Sequence, residues 1–447
     1  MRKAAAAGTL SEAPAERPGV RVGAGEAAPG GLRVRVRRVP GPGIVAVRGW
    51  LAGGARTEAI PGQAVVAGRA LTEGTARRDW RRIADEAEAL GAAVGSSASF
   101  EAHGVSVDAR TAHWKEALDW TVELLAEPSF PEDRCRWVAR QTAAELESLA
   151  DQPEVRTAWA FLEQLYAPGR RRLPVQGTAE DLARLGGAEC AAFHAGTRRR
   201  SAVTITVAGD LEEAEVLGHL EALIAPPEAV PPFPAPASGA EEAGAPAKPE
   251  PRGLPEARRE VALPAGDQAH LYLGCPTIVR AHPDRHALEL LGVVLGAGAG
   301  LTGRLPARVR EREGLAYSVH VHTLAGAGLD PGRLVVYVGT GPATVEQAEA
   351  SVVEELRRLV AEGVTPAEVE DARSYLLGRE PFRRETARQW ADILGEAILY
   401  GVPEDDPDWR REALEALDAG EVTEAARRHV DLEALKVTVG IPNAPSP

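Results

Sequence analysis

Residues 310–319 read Arg-Glu-Arg-Glu-Gly-Leu-Ala-Tyr-Ser-Val, and two of these side chains suit acyl-transfer chemistry. The guanidinium of Arg310 can hold a substrate carbonyl, and the phenolic O–H of Tyr317 can donate to an oxyanion as charge develops on it. The pattern places Arg310 near the end of a short helical segment, 301–313, behind the glycine-rich turn Gly296-Ala297-Gly298-Ala299-Gly300. Tyr317 falls on a strand in which Leu315, Tyr317, Val319 and Val321 are expected to share one face. A helix-terminal Arg and a core Tyr would be the ordinary structural use of the same two residues. No Gly-Lys-Ser/Thr follows the glycine run, so Gly296, Gly298 and Gly300 read as a substrate-contacting or helix-entering turn rather than a phosphate loop. His320 and His322 share a strand face, and His282 and His286 have helical spacing, but neither pair has a third ligand in place, so both read as structural or chamber-lining residues.

The elements that must position these residues fall into two similar halves. Residues 1–28 are rich in Ala, Gly, Pro and Glu and read as disordered. The stretch 225–260 is dense in Pro, Ala and Glu and reads as an extended linker. In the domain 29–224, Val34, Val36 and residues 45–50 read as strands. Trp80, Ile83, Ala87 and Leu90 mark a helix ending at Gly91; Val105, Val107 and Ala109 a strand; and residues 114–126 a helix with Ala117, Leu118, Val122 and Leu125 inward. In the domain 261–447, a helix over 345–359 and the turn Thr365-Pro366 repeat residues 115–125 and Phe130-Pro131. Each half closes with a helix and an alternating strand: 179–193 then 202–208, and 409–430 then 435–441. One supersecondary plan is used twice. The fold class is α+β, two homologous domains, each a mixed or antiparallel sheet flanked by helices.

Composition excludes several functions. With 447 residues the chain is too long for one core. A net charge of −14 argues against nucleic-acid binding, and the basic runs at 170–172 and 198–200 read as solvated surface. No run of apolar residues is long enough to span a membrane, and the N-terminus lacks a secretory apolar core, so a cytoplasmic location is expected. Cys135, Cys190 and Cys275 suit reduced, buried thiols.

The order glycine-rich turn, helical segment, Arg310, Tyr317 resembles the C-terminal half of the insulinase/pitrilysin family of zinc peptidases, which includes mitochondrial processing peptidase. The resemblance spans 31–441 in outline and is specific in detail only at 310–317; Leu399-Tyr400-Gly401-Val402-Pro403 is a weaker family-like feature. It implies two α+β domains forming half of a clamshell, with the matching Arg and Tyr reaching substrate across a chamber. The family's H-x-x-E-H zinc helix matches residues 61–75, but its three chemical positions read Val65, Gly68 and Arg69. Val has no donor atom, Gly no side chain, and a permanently protonated guanidinium repels a divalent cation. The family's third ligand, a Glu, corresponds to Glu145, for which Arg69 is the natural ion-pair partner; a solvated helix face is the plainer account. The family's substrate-holding Asn corresponds to Gly95. The resemblance therefore implies a zinc-less subunit with no metal or cofactor of its own. It would contribute Arg310 and Tyr317 to a homologous zinc-bearing partner acting on peptides. The alternative is a non-hydrolytic peptide-binding or scaffold protein of the same fold.

Overall fold

In the computed structural model, which describes residues 32–41, 43–224, 253–298 and 303–443, two five-stranded sheets are built to one plan. The first half runs β1 (Leu32–Arg38), β2 (Ile44–Ala52), α1 (Gln63–Arg69), α2 (Trp80–Leu90), β3 (Ala93–Ala98), β4 (Ala102–Arg110), α3 (Trp114–Ala126), α4 (Glu132–Ala150), α5 (Pro153–Tyr166), α6 (Ala179–Leu182), α7 (Gly187–Arg200), β5 (Val203–Gly209) and α8 (Glu213–Ile224). The second runs β6 (Arg258–Leu263), β7 (Ala269–Pro276), α9 (Arg285–Gly292), β8 (Ala316–Ala325), β9 (Arg333–Thr340), α10 (Val345–Glu362), α11 (Pro366–Arg379), α12 (Ala387–Tyr400), α13 (Pro407–Ala416), α14 (Ala419–His429) and β10 (Lys436–Pro442). The sheet orders β1-β5-β2-β4-β3 and β6-β10-β7-β9-β8 correspond strand for strand. In each, the outermost pair, β1 with β5 and β6 with β10, is parallel and the rest antiparallel. The edges β3 and β8 are thus equivalent. The α+β class is as expected. Residues 1–28 and most of the stretch read as linker lie outside the described residues, while β6 already begins at Arg258, inside that stretch.

Local sequence explains the elements. Asp79 caps α2 by accepting from the Arg82 N–H, and Gly91 closes it in the left-handed region. Val45, Val47 and Leu51 of β2 pack with Leu118 and Leu125 of α3 in the first core, and Leu271, Leu273, Val336 and Val338 centre the second.

Each half lends a helix to the other. α5 lies on β10 and β7 of the second sheet: Gln164 Oε1 accepts from Thr438 Oγ1 at 2.6 Å, and Phe161 stacks on Tyr272 at 5.9 Å. A Cβ on Gly440 would lie 2.1 Å from Thr157 Oγ1, so only Gly lets α5 this close to β10. α12 lies on β2 and β5 of the first sheet, where the Ala391 carbonyl accepts from Thr206 Oγ1 at 2.8 Å and Asp392 meets Arg48 at 2.7 Å.

Two expected helices are each two. The stretch 179–193 breaks into α6 and α7 because the Gly187 N–H turns to donate to Glu132 Oε2 at 2.6 Å. The stretch 409–430 breaks at Asp418, which restarts a helix by a reciprocal capping box with Glu421. The basic runs also differ from expectation. Arg170 pairs at 2.6 Å with Glu58, whose side chain is buried, and Arg171 bridges the halves through the carbonyls of Gly326 and Pro331.

Candidate functional site

The helix matched to the zinc motif is present, and it is closed. α1 packs against α7, β3 and α4. Val65 and Gly68 are buried. A Cβ built on Gly68 would stand 2.8 Å from the Ala98 methyl, 3.0 Å from the Ser97 carbonyl oxygen and 3.3 Å from the His103 Cβ. Those neighbours belong to the β3–β4 hairpin, which Ser96 Oγ ties to the helix by donating to the Arg69 carbonyl at 3.0 Å. A side chain the length of Glu has no room at that position. Of the three degenerate positions, only Arg69 reaches water, and its Nη1 meets Glu145 Oε2 at 2.8 Å and Thr142 Oγ1 at 3.1 Å. Glu145 projects from the outer side of α4, whose inner face is Cys135, Val138, Thr142 and Leu146. The residues at α1 therefore do not fit a zinc ion.

Gly95 sits in β3 opposite Ser106 and lines a cavity of about 610 Å³ between the first sheet and α12. Arg48, Trp50, Ser97 and Asp108 line the sheet side, and Arg388 and Asp392 the helix side.

Arg310 lies in the helical segment Pro306–Arg312, shorter than expected, with Glu311 at 3.7 Å from its Nε. The chain folds straight back, the Leu315 N–H donating to the Val309 carbonyl at 2.9 Å, and enters β8. Tyr317 does not share a face with Val319 and Val321. Ala316 pairs with Thr340 and Ser318 with Gly339, so Tyr317 is the extra residue of a β-bulge and turns outward with His320 and His322. It is 84% exposed, which removes the core-tyrosine alternative. Behind it, His320 stacks on Tyr337 at 5.8 Å, and Tyr337 Oη and His270 Nδ1 share a hydrogen bond of 3.0 Å. Gly296 is buried, at a φ of 137° that suits glycine, with Pro306 Cδ 2.7 Å from where its Cβ would be. It holds the helical segment in place. Gly298 is half-buried, and Gly300 lies outside the described residues.

His282 and His286 do not face one another. His286 Nδ1 meets Glu289 Oε2 at 3.1 Å and its ring meets Trp409 edge-on. Burial opposes ionisation of Glu289, yet His286, Arg410 and Arg285 hold its carboxyl well below the usual range. Sequence reasoning also missed the buried pair His103 and His194, whose ring nitrogens lie 3.2 Å apart beside Gly68, with His194 Nε2 2.9 Å from the Leu125 carbonyl oxygen. The three cysteines are free and buried. Among the described residues no helix is long and apolar enough to cross a membrane.

Comparison with known proteins agrees with this architecture. Residues 188–376 match the model of the peptidase M16 inactive domain. An uncharacterized zinc protease of Mycobacterium leprae is 28% identical over 83% of this chain and 82% of its own length. The uncharacterized zinc protease YmxG of Bacillus subtilis is 26% identical over 78% and 81%, and the non-peptidase homolog YmxG of Helicobacter pylori 26% over 39% of each. In structure, the peptidase M16 inactive domain of Pseudomonas fluorescens superposes with a TM-score of 0.82 at 23% identity, covering 96% of this chain and all of its own. Residues 188–376 thus match an M16 inactive domain, and the chain is similar along most of its length to M16 (insulinase/pitrilysin-type) proteins while lacking an H-x-x-E-H zinc motif.

Proposed function

We propose that this chain is the zinc-less subunit of a heterodimeric M16 peptidase. It would bind peptide and present Arg310 and Tyr317 to the substrate carbonyl while a homologous partner supplies the metal and the base. The observation that carries this reading is the contrast between the two edges: the α1 position is closed around Gly68, while Tyr317 is turned out of the β8 edge by its bulge. A tyrosine kept only for packing would face the core. In the proposed complex Arg310 positions the carbonyl in ground and transition states alike, and Tyr317 donates to the oxygen as it gains charge. The complex is read as cytoplasmic. The second reading, a non-hydrolytic peptide-binding or scaffold protein, draws on the same closed helix and on the non-peptidase name of the Helicobacter relative.

Coexpression with an H-x-x-E-H-bearing M16 protein from the same organism tests the proposal. Peptide hydrolysis is expected only when both chains copurify at equal stoichiometry. Full hydrolysis by the partner alone, unchanged on adding this chain, would leave the scaffold reading.

A further inference from the structure

We propose that His282, Asp284 and His429 form a binding site for a divalent transition cation of the zinc class, where α9 begins and α14 ends. The site lies in the second half, apart from α1, and does not depend on the peptidase reading. One donor atom from each residue can be chosen so that all three lie within 4.8 Å of one another, the one such group of His, Cys, Asp or Glu among the described residues. Two imidazole nitrogens and one carboxylate oxygen are a donor set zinc takes when it keeps a further position open.

The local structure presents these atoms. Asp284 occupies the N-cap position of α9, yet its carboxylate makes no cap hydrogen bond. Asp284 Oδ2 instead faces His429 Nε2 at 2.7 Å, and His282 Nδ1 lies 4.0 Å from it. The two histidine rings meet edge to face with centroids 5.1 Å apart. His429 ends α14, where its backbone carbonyl accepts from Cys275 Sγ at 3.9 Å, fixing the helix end against β7. His282 is held by the Asp284 N–H, which donates to its Nδ1 at 3.0 Å.

An ion entering the site takes the place of the hydrogen between His429 Nε2 and Asp284 Oδ2, which moves to Nδ1 of the same ring or to water. It also competes with two existing contacts. His282 must release the Asp284 N–H if it ligates through Nδ1, and Arg428 Nη2, 3.1 Å from Asp284 Oδ2, must swing aside; its side chain is already largely in water. Asp284 also lines a cavity of about 490 Å³ with Asp418, Glu421 and Glu424, so the approach is negatively charged and wide enough for a hydrated cation. The competing account is that the three residues serve only to pin α9 to α14.

The test uses the full-length chain, free of any histidine tag and dialysed against chelator, titrated with zinc chloride by calorimetry, with bound metal counted after equilibrium dialysis. One zinc per chain is expected, together with a rise in Tm on adding zinc. His429→Gln, which keeps a donor for Asp284, and His282→Ala should each weaken binding by at least about tenfold and abolish the Tm rise. The absence of saturable binding, or binding that survives both substitutions, overturns the site. Binding lost on Glu145→Ala but not on His429→Gln also overturns it, because the ion would then sit at α1. None of these readouts requires a partner or peptidase activity, so failure here leaves the subunit proposal standing.

Discussion

Arg69 and Glu145 meet at 2.8 Å across α1 and α4, with 34% and 50% of their side chains still accessible to water. The pair occupies the region where the family's ligands would converge, but at the rim rather than in the interior. Partly exposed pairs contribute about 0–1 kcal/mol, whereas breaking a buried one costs about 3–5 kcal/mol.

Arg69→Ala should therefore move the thermal unfolding midpoint little, by the equivalent of about 1 kcal/mol or less. A loss several times larger would mean that Thr142 and Glu145 are left stranded in a site drier than the geometry indicates.

Gly68 gives the converse case. Its missing Cβ leaves α1 seated on Ala98 and Ser97, and overpacking of this kind costs about 1–3 kcal/mol. Gly68→Ala should show that loss in denaturant unfolding. Restoring the motif by Val65→His, Gly68→Glu and Arg69→His together should give a less stable chain with no added zinc at α1. A triple variant as stable as its parent, binding one additional zinc that Glu145→Ala removes, would show that the helix can lift from the hairpin.

What could be read in advance follows from periodicity. β2, β4, α2 and α3 carry their patterns in consecutive residues, and Asp79 and Gly91 bound α2, so local sequence determines them. Strict alternation from Leu315 puts Tyr317 on the wrong face because it assumes no bulge; one extra residue between Ala316 and Ser318 inverts it. The break before α14 had a local signal, Asp418 with Glu421, that helical periodicity across 409–430 concealed. The exchange of α5 and α12 had none. Thr157, Gln164 and Ala391 look like ordinary amphipathic positions until the opposite sheet arrives. Arg170 likewise reads as surface until Glu58 is beside it.

The buried histidine pair sets a pH limit. Burial pushes His194 down to about 4, and burial with His194 alongside pushes His103 well below its ordinary range. An unfolded chain takes up these protons near pH 6.5 while the native state refuses them, so stability is full above about 6.5 and is lost as pH falls toward 4, by up to about 3 kcal/mol from His194. Unfolding free energy measured between about pH 7 and 4.5 should fall steadily. Replacing both histidines with Leu, which removes the facing ring nitrogens together, should flatten that slope even if it lowers absolute stability. An unchanged slope would assign the acid sensitivity to other groups.

The contribution of Tyr317 separates the subunit proposal from the scaffold reading. At 84% exposure its ring buries little, so Tyr317→Phe should leave folding and copurification with the partner intact. If the phenolic O–H donates to the oxyanion, turnover by the complex should fall about 10²- to 10³-fold, with far less change in KM because the bond is made chiefly in the transition state. Arg310→Ala should instead raise KM, as a group that grips the carbonyl throughout the reaction. Val65→Ala, at a position with no donor to lose, should do neither once allowance is made for stability. Full turnover by the Tyr317→Phe complex would mean that the bulge presents this tyrosine for contact with the partner rather than for chemistry.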